Sequence, residues 1–218
     1  MQKLQEYHGV PLTLRALRRL DLALPRVPEL ADHRPGVAAR RGALAQARDA
    51  WDELVERRMA VTAEIEYLDG EIDHLVVSVG QRWFLECDRN RHAPAYRKMF
   101  PVSPSTATAG VADEKQARFV TTLVETIHAD PAYSALKAEA AALAGLMERL
   151  REAQGRRQEL YAKEAQARAA LDLAADEAHR YYNGLYHQFT VALPDQPRLV
   201  ESLFLTLAHG PATGGPVA

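Results

Sequence analysis

The sequence predicts an all-α protein: an elongated, coiled-coil-like helical bundle in which two long helices are flanked by short helices. Three observations support this prediction. Apolar residues recur every three or four positions along two long stretches, a spacing typical of helices that pack on other helices. Short leucine-rich segments lie before, between and after these stretches. The alternating apolar and polar residues typical of a strand do not occur.

The first long helix is predicted from about residue 36 to about residue 92. Its seam alternates intervals of three and four residues without interruption: Leu44, Ala47, Trp51, Leu54, Arg58, Val61, Ile65, Leu68, Ile72, Leu75, Val79 and Arg82. Asp69 and Gly70 form a pair typical of turns. Because the register of the seam does not change there, we expect the helix to continue through Gly70.

A second long helix is predicted to begin at Asp130 and Pro131, since aspartate caps helices and proline suits the first helical position. Pro194 ends it. Its seam positions are Leu136, Leu143, Leu146, Leu150, Ala153, Arg157, Leu160, Ala167, Leu171, Ala174, Ala178, Tyr181 and Leu185. Two seams of similar length predict that the long helices pack on each other, and we favour an antiparallel pair.

Three short helices are expected to cover the flanks of these seams, giving three to four helices in cross-section. Thr13 can cap the first, Asp113 with Gln116 forms a capping box for the second, and Asp195 begins a last helix through Leu207. The prolines in residues 25–35 predict an irregular link. Residues 93–110 end in a piece rich in small residues and are expected to form a mobile loop.

The two long helices also resemble each other in sequence. A shift of 99 residues superposes Trp51 on Leu150, Arg58 on Arg157 and Trp83 on Tyr182. We therefore predict an internal duplication within one helical domain, residues 1–208, with repeats at 12–100 and 113–208. Residues 209–218 are expected to form a disordered tail.

Composition narrows the class of protein. The single cysteine, Cys87, excludes an internal disulfide and a cysteine-based zinc cluster, which favours a cytoplasmic location. No stretch approaches the ~18 apolar residues of a membrane span, so we expect no membrane partner. Residues 1–41 contain eight Lys or Arg and four acidic residues, whereas residues 42–85 contain four Lys or Arg and nine acidic residues.

Two helical steps could supply metal ligands. Glu71 with His74 and Asp176 with His179 each place a carboxylate and an imidazole three residues apart, as in ferritin-like di-metal proteins. The ligand set is short of the one such a site requires, because only the first step has the glutamate. We expect solvated charge pairs, with no metal and no cofactor.

Arg58 and Arg157 occupy matched seam positions, where an unpaired guanidinium would be costly. Three interpretations stay open. Both arginines can extend their charged ends to water, pair with an acid such as Glu164 and so fix the register, or bind an anion.

Aromatic residues collect at the ends of both long helices. The two groups are Trp83, Phe84, Tyr96 and Phe100, and Tyr181, Tyr182, Tyr186 and Phe189. They can form small cores where the short helices dock. Alternatively Trp83, Phe84, Tyr182 and Tyr186 are exposed anchors of a protein interface.

These observations favour a non-enzymatic helical scaffold or adaptor that associates with itself or with another protein. No Gly-x-Ser-x-Gly or phosphate-binding glycine loop is present, so no catalytic residue is predicted. One alternative is a helical-bundle metalloprotein or oxidoreductase that uses the two carboxylate–histidine steps. Another is a nucleic-acid or anion binder that uses the basic N-terminal region, although the aromatics of a nucleic-acid module are missing there.

Overall fold

The computed structural model describes residues 4, 9–108 and 114–205. Within these ranges the regular structure is helical, and no strand is present. The α-helices are α1 Val10–Ala23, α2 Arg34–Glu86, α3 Pro94–Met99, α4 Pro104–Ala107, α5 Glu114–Ala129, α6 Lys137–Ala192 and α7 Pro197–Leu203. The all-α class is therefore confirmed, as is the arrangement of two long helices with short helices beside them.

The two long helices are α2, with 53 residues, and α6, with 56. Helix α2 continues through Gly70, as the unchanged seam register predicted. It ends at Glu86, short of the predicted end near residue 92. The chain turns there because Asp88 and Arg89 adopt positive φ angles of 52° and 56°, and the Arg89 N–H donates to the Phe84 carbonyl at 2.9 Å.

The chain divides into two compact units. Unit 1 contains the residues up to Val55 and those from Lys163 onward, and unit 2 contains residues Glu56 to Ala162. In unit 1, Arg40 pairs with Glu177 at 3.0 Å and Trp51 stacks with Arg168, so α2 and α6 run antiparallel.

Helices α2 and α6 are antiparallel in unit 2 as well. There Arg156 pairs with Glu64 at 2.7 Å, and Arg82 pairs with Glu139. The predicted antiparallel arrangement of α2 and α6 is thus found in each unit.

The core of unit 1 is made by the inner face of α1 against α6 and α7. Its buried residues include Leu17, Leu20, Leu24, Leu171, Tyr182, Leu185, Val200 and Phe204. Helix α1 begins at Val10 after Gly9, so the prediction that Thr13 caps it was wrong. Pro11 starts the helix earlier, and Thr13 lies within it, fully buried.

The proline-rich link after α1 is more regular than predicted. It contains two 3-10 helical segments, Leu24–Arg26 and Pro28–His33, and α2 follows directly at Arg34. Leu30 is buried in the core of unit 1. Burial of this leucine gives the link a fixed position that its prolines alone did not indicate.

The core of unit 2 is made by α5 and α3 against α2 and α6. Its buried residues include Leu68, Ile72, Val76, Tyr96, Phe100, Val120, Leu123 and Ile127. The mobile loop predicted for residues 93–110 is wrong for the described part, because residues 94–99 and 104–107 are helical. Residues 109 and 110, and the predicted cap Asp113, lie outside the described residues.

The start of the second long helix agrees with the prediction in one respect. The Asp130 carboxylate accepts a hydrogen bond from the Ala132 N–H at 3.0 Å, as expected of an N-cap. It caps a 3-10 segment, Pro131–Leu136, that leads into α6. The last helix ends at Leu203, while Leu207 and the predicted disordered tail lie outside the described residues.

The short helices do not cover the whole length of the seams. No residue from 45 to 64 in α2, and none from 154 to 170 in α6, is fully buried. The predicted cross-section of three to four helices is therefore wrong for these stretches, whose seam residues such as Leu54 and Val61 are half-buried.

Two further predictions concern the chain as a whole. No helix in the described ranges combines the length and apolar character needed to cross a membrane. Both units contain a short helix, a 3-10 segment and the first half of a long helix. The single domain and its internal duplication stay predictions.

Candidate functional site

A row of arginines on the outer face of α1 and the turn after it forms a surface that we call the basic ridge. It consists of Arg15, Arg18, Leu22 and Arg26. All four are exposed, and Leu22 exposes 63% of its surface. Their spacing of three and four residues places them on one side of the helix. Among the described residues, no carboxylate pairs with any of these arginines.

The neighbouring arginines stabilise the fold instead. Arg34 and Arg41 both donate to the Asp21 carboxylate, at 3.1 and 2.7 Å, and Asp21 is only 7% exposed. Arg19 donates to the carbonyl of Ser202 at 2.7 Å. Because Asp21, the acid of α1, already has two partners, no acid among the described residues compensates the charge of the basic ridge.

An exposed face of α2 in unit 2 has the opposite charge, and we call it the acidic face. It consists of Glu56, Met59, Glu66, Tyr67 and Glu71, all exposed, with Met59 and Tyr67 each 61% exposed. The buried residues of α2, such as Leu68 and Ile72, lie on the other side of the helix. No cation in the described part of the chain pairs with these three glutamates.

The predicted metal-ligand candidates fall in different units. Glu71 and His74 are exposed in unit 2, whereas Asp176 is exposed and His179 is buried in unit 1. Over the residues that the structure describes, no group of three or more His, Cys, Asp or Glu side chains is placed to hold a metal ion. The ferritin-like site stays a hypothesis of the sequence.

His179 makes a buried contact with α1. Its Nε2 atom lies 2.7 Å from the Thr13 hydroxyl, and the two residues are 7% and 0% exposed. A threonine beside a histidine can act as a nucleophile with its base, but no substrate can reach a fully buried hydroxyl. The pair therefore joins α1 to α6.

A cavity of about 740 Å³ in unit 1 lies beside this pair. It is lined in part by Trp51, whose ring centre lies 5.3 Å from the Arg168 guanidinium. The charged residues of its lining are Arg48, Asp52, Arg168, Asp172 and Asp176, and Arg48 lies 3.8 Å from Asp52 and Arg168 lies 3.1 Å from Asp172. Both signs of charge therefore line this cavity.

Arg58 and Arg157 are both half-buried residues of unit 2. The Arg58 guanidinium lies 5.1 Å from the ring centre of Tyr161 on α6, within the range of a cation–π contact. The sequence did not indicate this contact, because Tyr161 lies outside the predicted seam. Which of the three interpretations of Arg58 and Arg157 applies stays a prediction.

The aromatic residues at the helix ends pack where the short helices dock. Trp83 is buried, lies 4.8 Å from the Tyr133 ring and donates to the Ala95 carbonyl. Tyr182 is 1% exposed, and its hydroxyl accepts from the Leu205 N–H at 2.9 Å. Burial raises the pKa of Tyr182. Trp83 and Tyr182 thus belong to the two cores.

The other two aromatic candidates are half-buried. Tyr186 packs on Phe204 with ring centres 5.3 Å apart. Phe84 contacts the Tyr96 ring and lines a cleft on unit 2. Of the four predicted anchors, Phe84 therefore borders an open site.

Cys87 has the properties of a packing residue. Burial, followed by the nearby carboxylates of Asp88 and Glu86, raises the pKa of its thiol. The thiolate is the nucleophilic form of cysteine, so a raised pKa makes Cys87 less reactive at neutral pH.

Comparison of the chain with models of protein families, with curated protein sequences and with solved structures found no match.

Proposed function

We propose that this protein is a non-enzymatic helical scaffold that assembles with copies of itself, the basic ridge of one copy binding the acidic face of the next. The observation that carries the proposal is the charge of Arg15, Arg18 and Arg26 around the exposed Leu22, which no carboxylate of the described ranges pairs with. Charged groups of one sign that have no partner within a chain attract a surface of the opposite sign.

The acidic face has the matching properties. It presents three glutamates with the exposed Met59 and Tyr67, so it offers both charge and apolar surface. Tyr and Met are enriched at the centres of protein interfaces, and charged residues are common at their rims. Leu22 against Met59 and Tyr67 would form an apolar centre ringed by arginine–glutamate pairs.

A contact of this kind joins different faces of two copies. Such heterologous contacts give rings if the rotation closes and open filaments if it does not. A single helix face buries little area, which places each contact in the class of weak, transient interfaces. Because the pairs at its rim are exposed, added salt should weaken the association.

Sedimentation velocity of the purified protein at low and high salt tests the proposal. The wild type should form species larger than one chain at low salt and revert toward one chain at high salt. The variant Arg15→Glu/Arg18→Glu/Arg26→Glu should sediment as a single chain at both. A wild-type protein that stays a single chain at high concentration and low salt would contradict self-assembly.

A control variant separates the basic ridge from net charge. Arg149→Glu/Lys163→Glu/Arg180→Glu changes the charge equally at three exposed positions of α6. It should assemble like the wild type, because these residues are not in either surface. Circular dichroism confirms that each variant remains helical.

The basic ridge would also attract nucleic acid, which is one of the alternative partners that the sequence suggested. The ridge contains no aromatic residue for base stacking. Titration with a double-stranded DNA of mixed sequence distinguishes the two. Tight, salt-dependent DNA binding, lost in the Arg15→Glu/Arg18→Glu/Arg26→Glu variant, would favour nucleic acid over self-assembly.

A further inference from the structure

The charged residues that line a cleft on unit 2 are arginines. The cleft encloses about 440 Å³, within the range of small-molecule sites. Its walls come from the end of α2, the turn after it, α3 and the start of α4. Neither the assembly proposed above nor the core of unit 2 uses this space.

One wall of the cleft depends on a close approach of two elements. Pro104, at the start of α4, lies so near Gly80 that a Cβ atom at residue 80 would overlap the Pro104 ring. Glycine therefore lets α4 close one side of the cleft. The half-buried Phe84 supplies aromatic surface along the remaining walls, and Tyr96 and Phe100, which are 6% and 3% exposed, supply a smaller part.

The charged groups of the cleft are Arg91 and Arg97. The Arg91 guanidinium lies 5.3 Å from the ring centre of Phe84, which orients it by a cation–π contact. Arg97 donates from Nη2 to Nδ1 of His92 at 2.9 Å. Since arginine has only donors, His92 accepts at Nδ1 and retains an Nε2–H donor.

No acidic residue lines the cleft, and no carboxylate in the described part of the chain pairs with Arg91 or Arg97. The neighbouring cation Lys98 differs, because it pairs with Asp130 at 3.2 Å. Two guanidinium groups without a carboxylate partner therefore border a space with aromatic walls. Arginine recognises carboxylate and phosphate groups through paired hydrogen bonds, and aromatic walls favour a flat apolar body.

The geometry points to a binding site for a small molecule that carries one carboxylate or phosphate group on a flat, apolar body. Arg91 and Arg97 bind the anionic group, and Phe84, Tyr96 and Phe100 contact the apolar body. The occupant is a small molecule because the enclosed volume matches one small ligand.

Calorimetric titration of the full chain with four probes tests this assignment. Phenyl phosphate and benzoate carry both features, inorganic phosphate only the charge, and benzyl alcohol only the ring. We expect at least one of the first two to bind tenfold or more tightly than either of the others. Tighter binding of phenyl phosphate would identify a phosphate ligand, and tighter binding of benzoate a carboxylate.

Three variants locate the binding. Arg91→Gln and Arg97→Gln should each weaken it at least tenfold, while Arg89→Gln, an exposed neighbour outside the cleft, should leave it unchanged. All three residues are exposed, so the fold is expected to persist. The assignment is overturned if neither phenyl phosphate nor benzoate binds, if inorganic phosphate or benzyl alcohol binds as tightly as they do, or if Arg89→Gln weakens binding as much as the other two variants.

Discussion

Units 1 and 2 each contain a short helix packed on long helices, yet they bury different polar groups. In unit 1 the polar contact of the short helix joins Thr13 to His179, and both residues are nearly inaccessible to water. In unit 2 the buried Gln116 donates from Nε2 to Asp69 and Asp73, at 2.9 and 2.6 Å, and both carboxylates are half-buried. The short helix therefore makes its polar contact with an imidazole in one unit and with two carboxylates in the other.

The two units also differ on their surfaces. Unit 1 carries the basic ridge, whereas unit 2 carries the acidic face and the cleft that contains Arg91 and Arg97. Apolar spacing determines how each short helix packs, and it is similar in both. The charged residues on the outer faces of the helices are independent of that spacing. Two units with similar apolar spacing can therefore present surfaces of opposite charge.

The largest expected effect comes from replacing one buried leucine in the core of each unit. Leu20 on α1 and Leu123 on α5 are 0% and 2% exposed. Leu20→Ala and Leu123→Ala should each lower the free energy of unfolding by ~2–5 kcal/mol, because each leaves a cavity among packed side chains. Urea denaturation measures both. A loss below ~1 kcal/mol for one of them would show that its unit does not depend on the short helix.

Glycines that meet other elements should differ between the units. Gly80→Ala in unit 2 should cost ~1–3 kcal/mol, because the rigid Pro104 ring must move. Gly36→Ala in unit 1 should cost less, since the overlapping atoms are at the end of the Tyr181 side chain. Gly70→Ala is the control, because no atom lies near its Cβ position.

Gly70→Ala should raise the free energy of unfolding by up to ~1 kcal/mol, since alanine is favoured over glycine within a helix. Thermal unfolding ranks the three variants. If Gly80→Ala were as stable as Gly70→Ala, the close approach of α4 to α2 would be wrong.

The buried polar contacts give a second comparison between the units. Thr13→Val keeps the shape of the side chain but removes the hydroxyl beside His179, and should cost ~1–3 kcal/mol. Gln116→Leu should cost less than ~1 kcal/mol, because water can replace its bonds to the half-buried carboxylates. Equal losses in urea denaturation would contradict the difference in burial.

The smallest effect concerns the charge of Asp73. Burial, followed by the neighbouring Asp69 carboxylate, raises the pKa of Asp73, although the hydrogen bond from Gln116 opposes this. The folded protein then binds this proton more strongly than the unfolded chain. The ionised side chain therefore costs stability at neutral pH, and the cost disappears as the pH falls below the ordinary pKa of aspartate.

Asp73→Asn should accordingly stabilise the protein at neutral pH by a few tenths of a kcal/mol, a small value because the group is largely solvated. The advantage should vanish in acid. Urea denaturation of the variant and the wild type at several pH values measures this stabilisation. A stabilisation that grew toward acid pH would contradict a raised pKa of Asp73.

The sequence predicted the seam of α2 well because burial there follows helical spacing alone. Ile65, Leu68, Ile72 and Val79 were assigned to the seam, and all four are buried. Helices α3 and α4 were missed because residues 93–110 end in a piece rich in small residues and were assigned to a mobile loop. Pro94 and Pro104 each lie at the start of a short helix, a position that proline favours.

The candidate surfaces were only partly predictable. The sequence showed an excess of cations before residue 42, but not which arginines are neutralised. The neutralised arginines are Arg34 and Arg41, which reach Asp21 only after the chain folds back on α1. The cleft was missed because the sequence placed Arg91 in the first long helix and Arg97 in a loop.

An exchange of charges between the two surfaces tests the proposed assembly most directly. Arg15→Glu/Arg18→Glu/Arg26→Glu makes the basic ridge acidic, and Glu56→Lys/Glu66→Lys/Glu71→Lys makes the acidic face basic. Each variant alone should sediment as a single chain at low salt, because its two surfaces then repel. An equimolar mixture should form larger species again, since every contact regains opposite charges. A mixture that remains single chains, while the wild type assembles, would contradict contact between these two surfaces.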